Sequence, residues 1–371
     1  MYYIIFIIGL FLSVINDKRK VCLSIFTGIL IVFASLRYGL GTDYFAYLYL
    51  YERLNYSLIT ELFYGLDRQE VGFRLIGSFL KNLGFSYQYY LILISIINIY
   101  FISKTCSKYS KNPIFSLLLY FCFYYLVWTF GGLRQGITLA IGVYYLLEAV
   151  NNKKSIKLVI ITLLLSLIHS SAIILIILYL VSKIDLKKKT LIILSAMSIL
   201  ASVIPLGNII NRFTFMPYYQ SISPYLDTDI SLNLFDFQGL GRLFFLMISL
   251  YFYDIYSRQS SFDKKVINIY IISLLFYFLF QFSELTASRI SMYGKILDIL
   301  ILVNLIYIIK SNLNRLIYIY LIVALCFSYI TKDLIALQKN FDQSNSIIAP
   351  YTNIFNKDDY IFINRTKYTP D

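Results

Sequence analysis

The sequence predicts an all-α polytopic membrane protein with about 12 transmembrane helices (about 10–14 allowing for short runs) and further helices in its extracytoplasmic loops. Three observations carry that expectation. Hydrophobic residues make up 59% of the 371 and charged residues only 14%, with a mean hydropathy of +0.70. A soluble domain averages roughly 45–50% apolar and 25% charged. Apolar runs of about 15–20 residues, the length a bilayer demands, recur along the whole chain. Lysine and arginine then alternate from loop to loop in the manner that sets membrane orientation.

The expected helices are 2–15, 21–36, 86–103, 113–128, 132–149, 156–168, 171–182, 190–205, 240–256, 266–283, 293–309 and 315–331. The first run has no basic residue before it and no small-residue cleavage site after it, so it reads as a helix and not a removable signal. Six short loops, 16–20, 104–112, 150–157, 183–189, 257–265 and 310–315, carry 18 of the 33 basic residues. Those loops read as cytoplasmic. The excess of +13 is thereby explained by orientation, and nucleic acid is not expected as a partner. Residues 1–331 read as one transmembrane domain with long outward loops at 37–85 and 206–239, and 332–371 as an extracytoplasmic tail.

Within the first outward loop, Phe73, Ile76, Phe79, Leu80 and Leu83 share a helical face, which predicts an amphipathic helix on the outer interface. The second loop, with Tyr218, Tyr219, Tyr225, Asp227, Asp229 and Asp236, has the composition of an ordered lid or of a solvated acidic surface. The tail is expected to fold back over the outer face. Cys22, Cys106, Cys122 and Cys326 have no paired spacing and imply neither disulfide nor metal. Asp298 lies well inside an apolar run, with Lys295 as its expected partner.

Polar groups gather at the outward helix ends. Arg37 closes the second run and leads into Tyr38-Gly39-Leu40-Gly41-Thr42-Asp43-Tyr44. Arg134 opens the fifth in Phe130-Gly-Gly-Leu-Arg-Gln-Gly136. His169, the only histidine, sits at the turn Leu167-Ile-His-Ser-Ser-Ala172. Arg242 opens the ninth run, and Arg289 precedes the eleventh. Guanidinium groups stay charged and grip phosphate bidentately, and glycines beside them allow close backbone approach. Such a ring at the lipid–water boundary suits a lipid-linked diphosphate. Asp43 and Glu70 are placed to accept hydrogen bonds from sugar hydroxyls or to orient the arginines, with Gln135 beside Arg134.

Structural roles stand beside these readings. Arginines at helix ends also snorkel to phospholipid headgroups. Asp43 can pair with Arg37 or cap a helix, and Glu70 can cap the surface helix. A lone histidine is often a satisfied structural residue. His169, with Ser170 and Ser171 beside it, also suits proton transfer from a hydroxyl. No metal and no cofactor is expected: the chain has one histidine and no Cys-x-x-Cys, and Asp227-Thr-Asp229 is three letters in an acidic loop.

Arg-x-Gly-x-Gly-Thr-Asp-Tyr at 37–44, Glu70-Val-Gly-Phe73, Leu133-Arg-Gln-Gly136 and His169-Ser-Ser-Ala172, in this order, resemble the EpsG family of bacterial membrane proteins, related to Wzy-type polysaccharide polymerases. The resemblance spans roughly residues 1–335, with its signatures in the first half; Arg242 and Arg289 are carried by position and chemistry only. It implies a metal-independent membrane glycosyltransferase in the bacterial cytoplasmic membrane, its active face extracytoplasmic. Such an enzyme polymerises polyprenyl-diphosphate-linked oligosaccharide repeat units for capsule, exopolysaccharide or O-antigen. By the same resemblance Arg37 and Arg134 bind diphosphate, Asp43 shapes the site and His169 is the candidate base. Membrane lipids, a flippase and a chain-length regulator are the implied partners. Two other classes compete with this reading. A flippase or transporter of lipid-linked oligosaccharide predicts similar halves and polar groups through the membrane, which the sequence lacks. A membrane O-acyltransferase would also use a lone histidine, but with a donor arriving from the cytoplasm.

Overall fold

Each expected apolar run coincides over most of its length with helix in the computed structural model, which describes residues 1–15, 18–65, 69–204, 237–341, 347–363 and 365. Most of the expected lid at 206–239, including Asp227 and Asp229, lies outside the described residues. In chain order the helices are α1 Tyr2–Val14, α2 Arg19–Ser35, α3 Tyr44–Arg53, α4 Leu58–Tyr64, α5 Val71–Asn82, α6 Tyr87–Tyr109 and α7 Pro113–Tyr120. They continue as α8 Leu133–Asn152, α9 Ser155–Ser166, α10 Ile174–Val181, α11 Lys188–Val203, α12 Phe237–Ser257 and α13 Ser261–Leu279. The last three are α14 Glu284–Lys295, α15 Asp298–Ile306 and α16 Asn312–Gln338.

Three of these segments are long and apolar enough, by length and composition, to cross a membrane among the described residues: Tyr87–Tyr109, Pro113–Gly131 and Asn312–Gln338. Tyr2–Val14, Ser155–Ser166 and Ser170–Val181 are apolar but shorter. A 12-residue helix rises only about 18 Å against a hydrocarbon core of about 30 Å, so helix position and full span are separate matters.

The chain divides into two compact units, one of Met1–Tyr144, Leu163–Ala172 and Ile299–Asp371, the other of Tyr145–Thr162 and Ile173–Asp298. In the first, α2 packs on α6, and α7 on α1, α2 and α6. Asn112 starts α7: its side chain accepts from the Phe115 amide at 3.2 Å, and Pro113 fills a position with no amide to satisfy. Beyond Tyr120 the helix widens into a π-helix, Phe121–Gly131, and ends where the Gly132 amide returns to the Val127 carbonyl at 2.8 Å. In the second unit α13 is central, packing against α10, α11, α12 and α14. The expected single helix 293–309 is instead two, broken at Ile296 and Leu297. Lys295 and Asp298 pair across that break at 2.9 Å, both buried, as their spacing predicts.

The 37–85 loop holds three helices where one was expected. Ser57 caps α4 by accepting from the Thr60 amide, and Glu61 on α4 reaches Arg74 on α5 in a buried ion pair at 2.6 Å. This pair sets which face of α5 turns inward. Phe73, Arg74, Gly77 and Ser78 are buried, while Phe79 and Leu83, assigned to the same apolar face by the sequence, are 51% and 54% exposed. The inward face is therefore rotated from the expected one by a buried charge.

Candidate active site

Arg37 emerges from the end of α2 into full enclosure, with 0% exposure. Its guanidinium donates to the Ala34 carbonyl, to Ser95 Oγ at 3.3 Å and to the Thr129 carbonyl at 3.1 Å, and lies 4.8 Å from the centre of the Phe130 ring. Thr129 is itself tied to Tyr120, whose hydroxyl reaches Asn98. The C-terminal segment completes this knot. Tyr38 donates its amide to Thr352 O at 3.0 Å, Ile354 donates to Leu36 O at 3.1 Å, and Arg37 bridges Asn353. Gly41, at φ 115°, brings the turn so near the π-helix that a Cβ there would sit 2.3 Å from the Phe130 carbonyl. The close approach that Gly41 permits is thus made to the protein's own backbone.

A second cluster in the same unit is built differently. Glu70 stands at the N-cap of α5. Gly72 lets that end of α5 meet the turn after α9: its amide donates to Leu167 O at 2.7 Å, and any side chain there would strike the same carbonyl. The contact delivers Glu70 to His169. Glu70 Oε1 receives His169 Nδ1 at 3.0 Å, the Ser170 amide at 3.1 Å and Ser170 Oγ at 3.4 Å. Its other oxygen, Oε2, receives Arg134 Nη1 from the first turn of α8. Glu70 and Arg134 side chains are each 21% exposed and His169 6%.

The electrostatics follow from this geometry. Burial works against ionisation of Glu70, but the His169 bond, the Arg134 charge and the Ser170 amide outweigh it and hold the carboxyl well below its usual range. A carboxylate can only accept, so Nδ1 carries the proton, and in the neutral form of the ring the lone pair lies at Nε2. That Nε2 is buried and has no hydrogen-bond partner in the protein, and neither does Arg134 Nε. Tyr47 of α3 also hydrogen-bonds the Arg134 guanidinium. Burial pushes the Tyr47 phenol up and the neighbouring arginine draws it back.

The candidate residues therefore separate. Glu70, Arg134 and His169 come together, and both Glu70 oxygens are engaged by protein groups. Arg37 has none of these three among its partners. Asp43 is exposed at the N-cap position of α3 without a capping hydrogen bond from its side chain. Gln135 is buried in α8, its carbonyl accepting from Thr138 Oγ1 at 3.0 Å. In the second unit Arg242 of α12 is buried with its guanidinium 4.5 Å from the Tyr277 ring centre, and Arg289 is half-buried on α14. Tyr47 and the Ser170 amide were not foreseen. Nothing separates Tyr47 from the other 35 of the chain's 36 tyrosines by sequence, whereas Ser170 follows the lone histidine directly.

A helical membrane protein with an acid–base pair and an arginine held at helix ends is the class that fold and cluster define. The EpsG family model matches residues 20–353, and the chain belongs to the EpsG family, which is associated with Wzy-type polymerases. Family membership points to a role in polysaccharide biosynthesis and to glycosyltransferase-like chemistry. No curated protein and no solved structure matches the chain.

Proposed function

We propose that the protein polymerises lipid-diphosphate-linked oligosaccharide repeat units at the outer face of the cytoplasmic membrane, with the Glu70–His169–Arg134 cluster as its reaction centre. The observation that supports this reading most is the His169 ring, pinned through Nδ1 to an ionised carboxylate and presenting an unpartnered Nε2. A base oriented in this way is the arrangement that general-base catalysis requires.

In the proposed step the acceptor hydroxyl gives its proton to Nε2 while its oxygen bonds to the anomeric carbon of the donor glycan. The bond from that carbon to the carrier diphosphate breaks, and its electron pair leaves with the polyprenyl diphosphate. Arg134 lies beside His169 through their shared partner Glu70 and supplies positive charge for the diphosphate. Tyr47 also fixes the arginine. Glu70 is a positioning residue for both, and its oxygens are not free for sugar hydroxyls. In this reading Arg37 braces the folded segment at Thr129 and is not a phosphate ligand.

The test is elongation of a polyprenyl-diphosphate-linked repeat unit by the purified full-length protein in nanodiscs. Wild type is expected to yield polymer. His169→Ala should lower the rate by about 10²–10⁴-fold, the usual contribution of a general base, with the protein still inserted and its melt retained. Undiminished polymer from His169→Ala would overturn the assignment.

A further inference from the structure

Helix α3 separates two environments. Tyr47 turns to Arg134, whereas Tyr44, Leu48 and Tyr51 turn to a groove of about 580 Å³ in the same unit. That volume falls within the roughly 300–1,000 Å³ typical of small-molecule sites. No residue of the reaction centre lines it.

The groove has an aromatic floor. Tyr44 and Tyr87 pack edge to face with centroids 5.5 Å apart, and Tyr51 lies 5.8 Å from Tyr87. These rings are locked: Tyr51 donates its hydroxyl to Phe85 O at 2.7 Å, and Tyr87 to Tyr44 O at 3.3 Å. All three are buried, at 2%, 5% and 5% exposure, so they form a rigid wall behind the groove, and the accessible rings are Tyr56, 64% exposed, and Tyr38, half-buried.

The rim is polar and comes from two places. On one side Lys81 stands 4.7 Å from the Tyr56 ring centre and donates to the Glu52 and Leu54 carbonyls at 2.6 and 2.7 Å. A third ammonium hydrogen remains, since lysine has three donors. On the other side Lys357, brought in by the C-terminal segment, stands 5.5 Å from the Tyr38 ring centre. The Glu52 carboxylate, exposed, adds an acceptor.

We propose that this groove is a saccharide subsite that seats sugar rings of the lipid-linked repeat unit; the assignment rests on the polymerase reading above. A sugar ring has an apolar C–H face and a polar edge of hydroxyls. The accessible rings of Tyr56 and Tyr38, beside two ammonium donors and a carboxylate acceptor, match both at once. Acyl chains are a poor fit, because three charged groups at the rim would lose water without gaining a partner.

Two measurements test this on the full-length protein in detergent. The first is saturation-transfer NMR with the repeat-unit oligosaccharide released by mild acid from the lipid-linked pool, set against glycerol phosphate as a headgroup probe. Transfer to the sugar protons is expected for wild type and for His169→Ala. It should be lost in the Tyr56→Ala/Lys357→Ala double variant, whose two side chains are largely solvent-facing. Transfer to glycerol phosphate alone, or full transfer to sugar in the double variant, would overturn the subsite. The second is elongation kinetics, where the double variant should raise KM for the lipid-linked unit about tenfold and change kcat less. An unchanged KM alongside normal wild-type elongation defeats the subsite and leaves the polymerase reading standing. Absence of elongation by wild type, with sugar binding intact, defeats the polymerase reading instead.

Discussion

Arg37 and Arg134 sit in similar stretches of sequence, each beside glycines at the end of an apolar run, yet the fold uses them in opposite ways. Arg37 spends its donors on two carbonyls and a serine hydroxyl in a site with no exposure and lies over Phe130. Arg134 is partly accessible and faces a carboxylate that also holds a histidine. What separates the two arginines is their set of partners. Carbonyls fix the position of Arg37, whose remaining Nε is enclosed with no exposure. A carboxylate shared with a histidine couples charge, orientation and proton transfer at one point.

The comparison is most directly broken by truncating each arginine in turn. Arg134→Ala is expected to lower the elongation rate by about 10²–10³-fold, the scale for removing a preorganised charge-stabilising donor, while the thermal melt changes little. Arg37→Ala should do the reverse. Loss of a fully buried side chain and its bonded carbonyls costs about 3 kcal/mol of stability, and the protein that remains folded keeps its rate per molecule. Equal rate losses at equal stability would erase the distinction.

A smaller effect concerns pH. The folded Glu70 carboxyl is held below its usual range, so its ionised form favours the folded state. That contribution is complete above the unfolded value of about 4.3 and drains away as pH falls beneath it. Melts of wild type and Glu70→Gln should therefore differ at neutral pH and converge in acid. A gap that persists unchanged to about pH 3 would show that the carboxylate is not stabilised as described. Smallest of all, Tyr47→Phe removes one hydrogen bond to Arg134. A net worth of about 0.5–1.5 kcal/mol gives a rate loss between about twofold and tenfold, and a loss as large as that of Arg134→Ala would promote Tyr47 to a direct role.

Much of this architecture was legible before any coordinates, because apolar runs locate helices whatever they pack against. The Glu70, Arg134 and His169 motifs were legible too, since charged groups are scarce in so apolar a chain and each stands near glycine or serine. Their meeting was not, because it depends on the Gly72–Leu167 contact across 95 positions. Helices α3 and α4 went unseen, their tyrosines and short lengths giving no long apolar period. The inward face of α5 was misassigned because the pairing of Arg74 with Glu61, which no spacing rule announces, overrides the apolar stripe. The enclosure of Arg37 is not legible either, because burial leaves no mark on a sequence.

The bridge from Arg37 to Asn353 also bears on how the protein is made. Residues 36–38 leave the ribosome more than 300 positions ahead of the segment that satisfies their amides and carbonyls. At ordinary synthesis rates of about 5–20 residues per second, the turn beside Arg37 waits for tens of seconds with those groups unpaired by their final partners. The knot is thus among the last contacts that synthesis allows, because the segment that clasps the turn after α2 lies at residues 352–354.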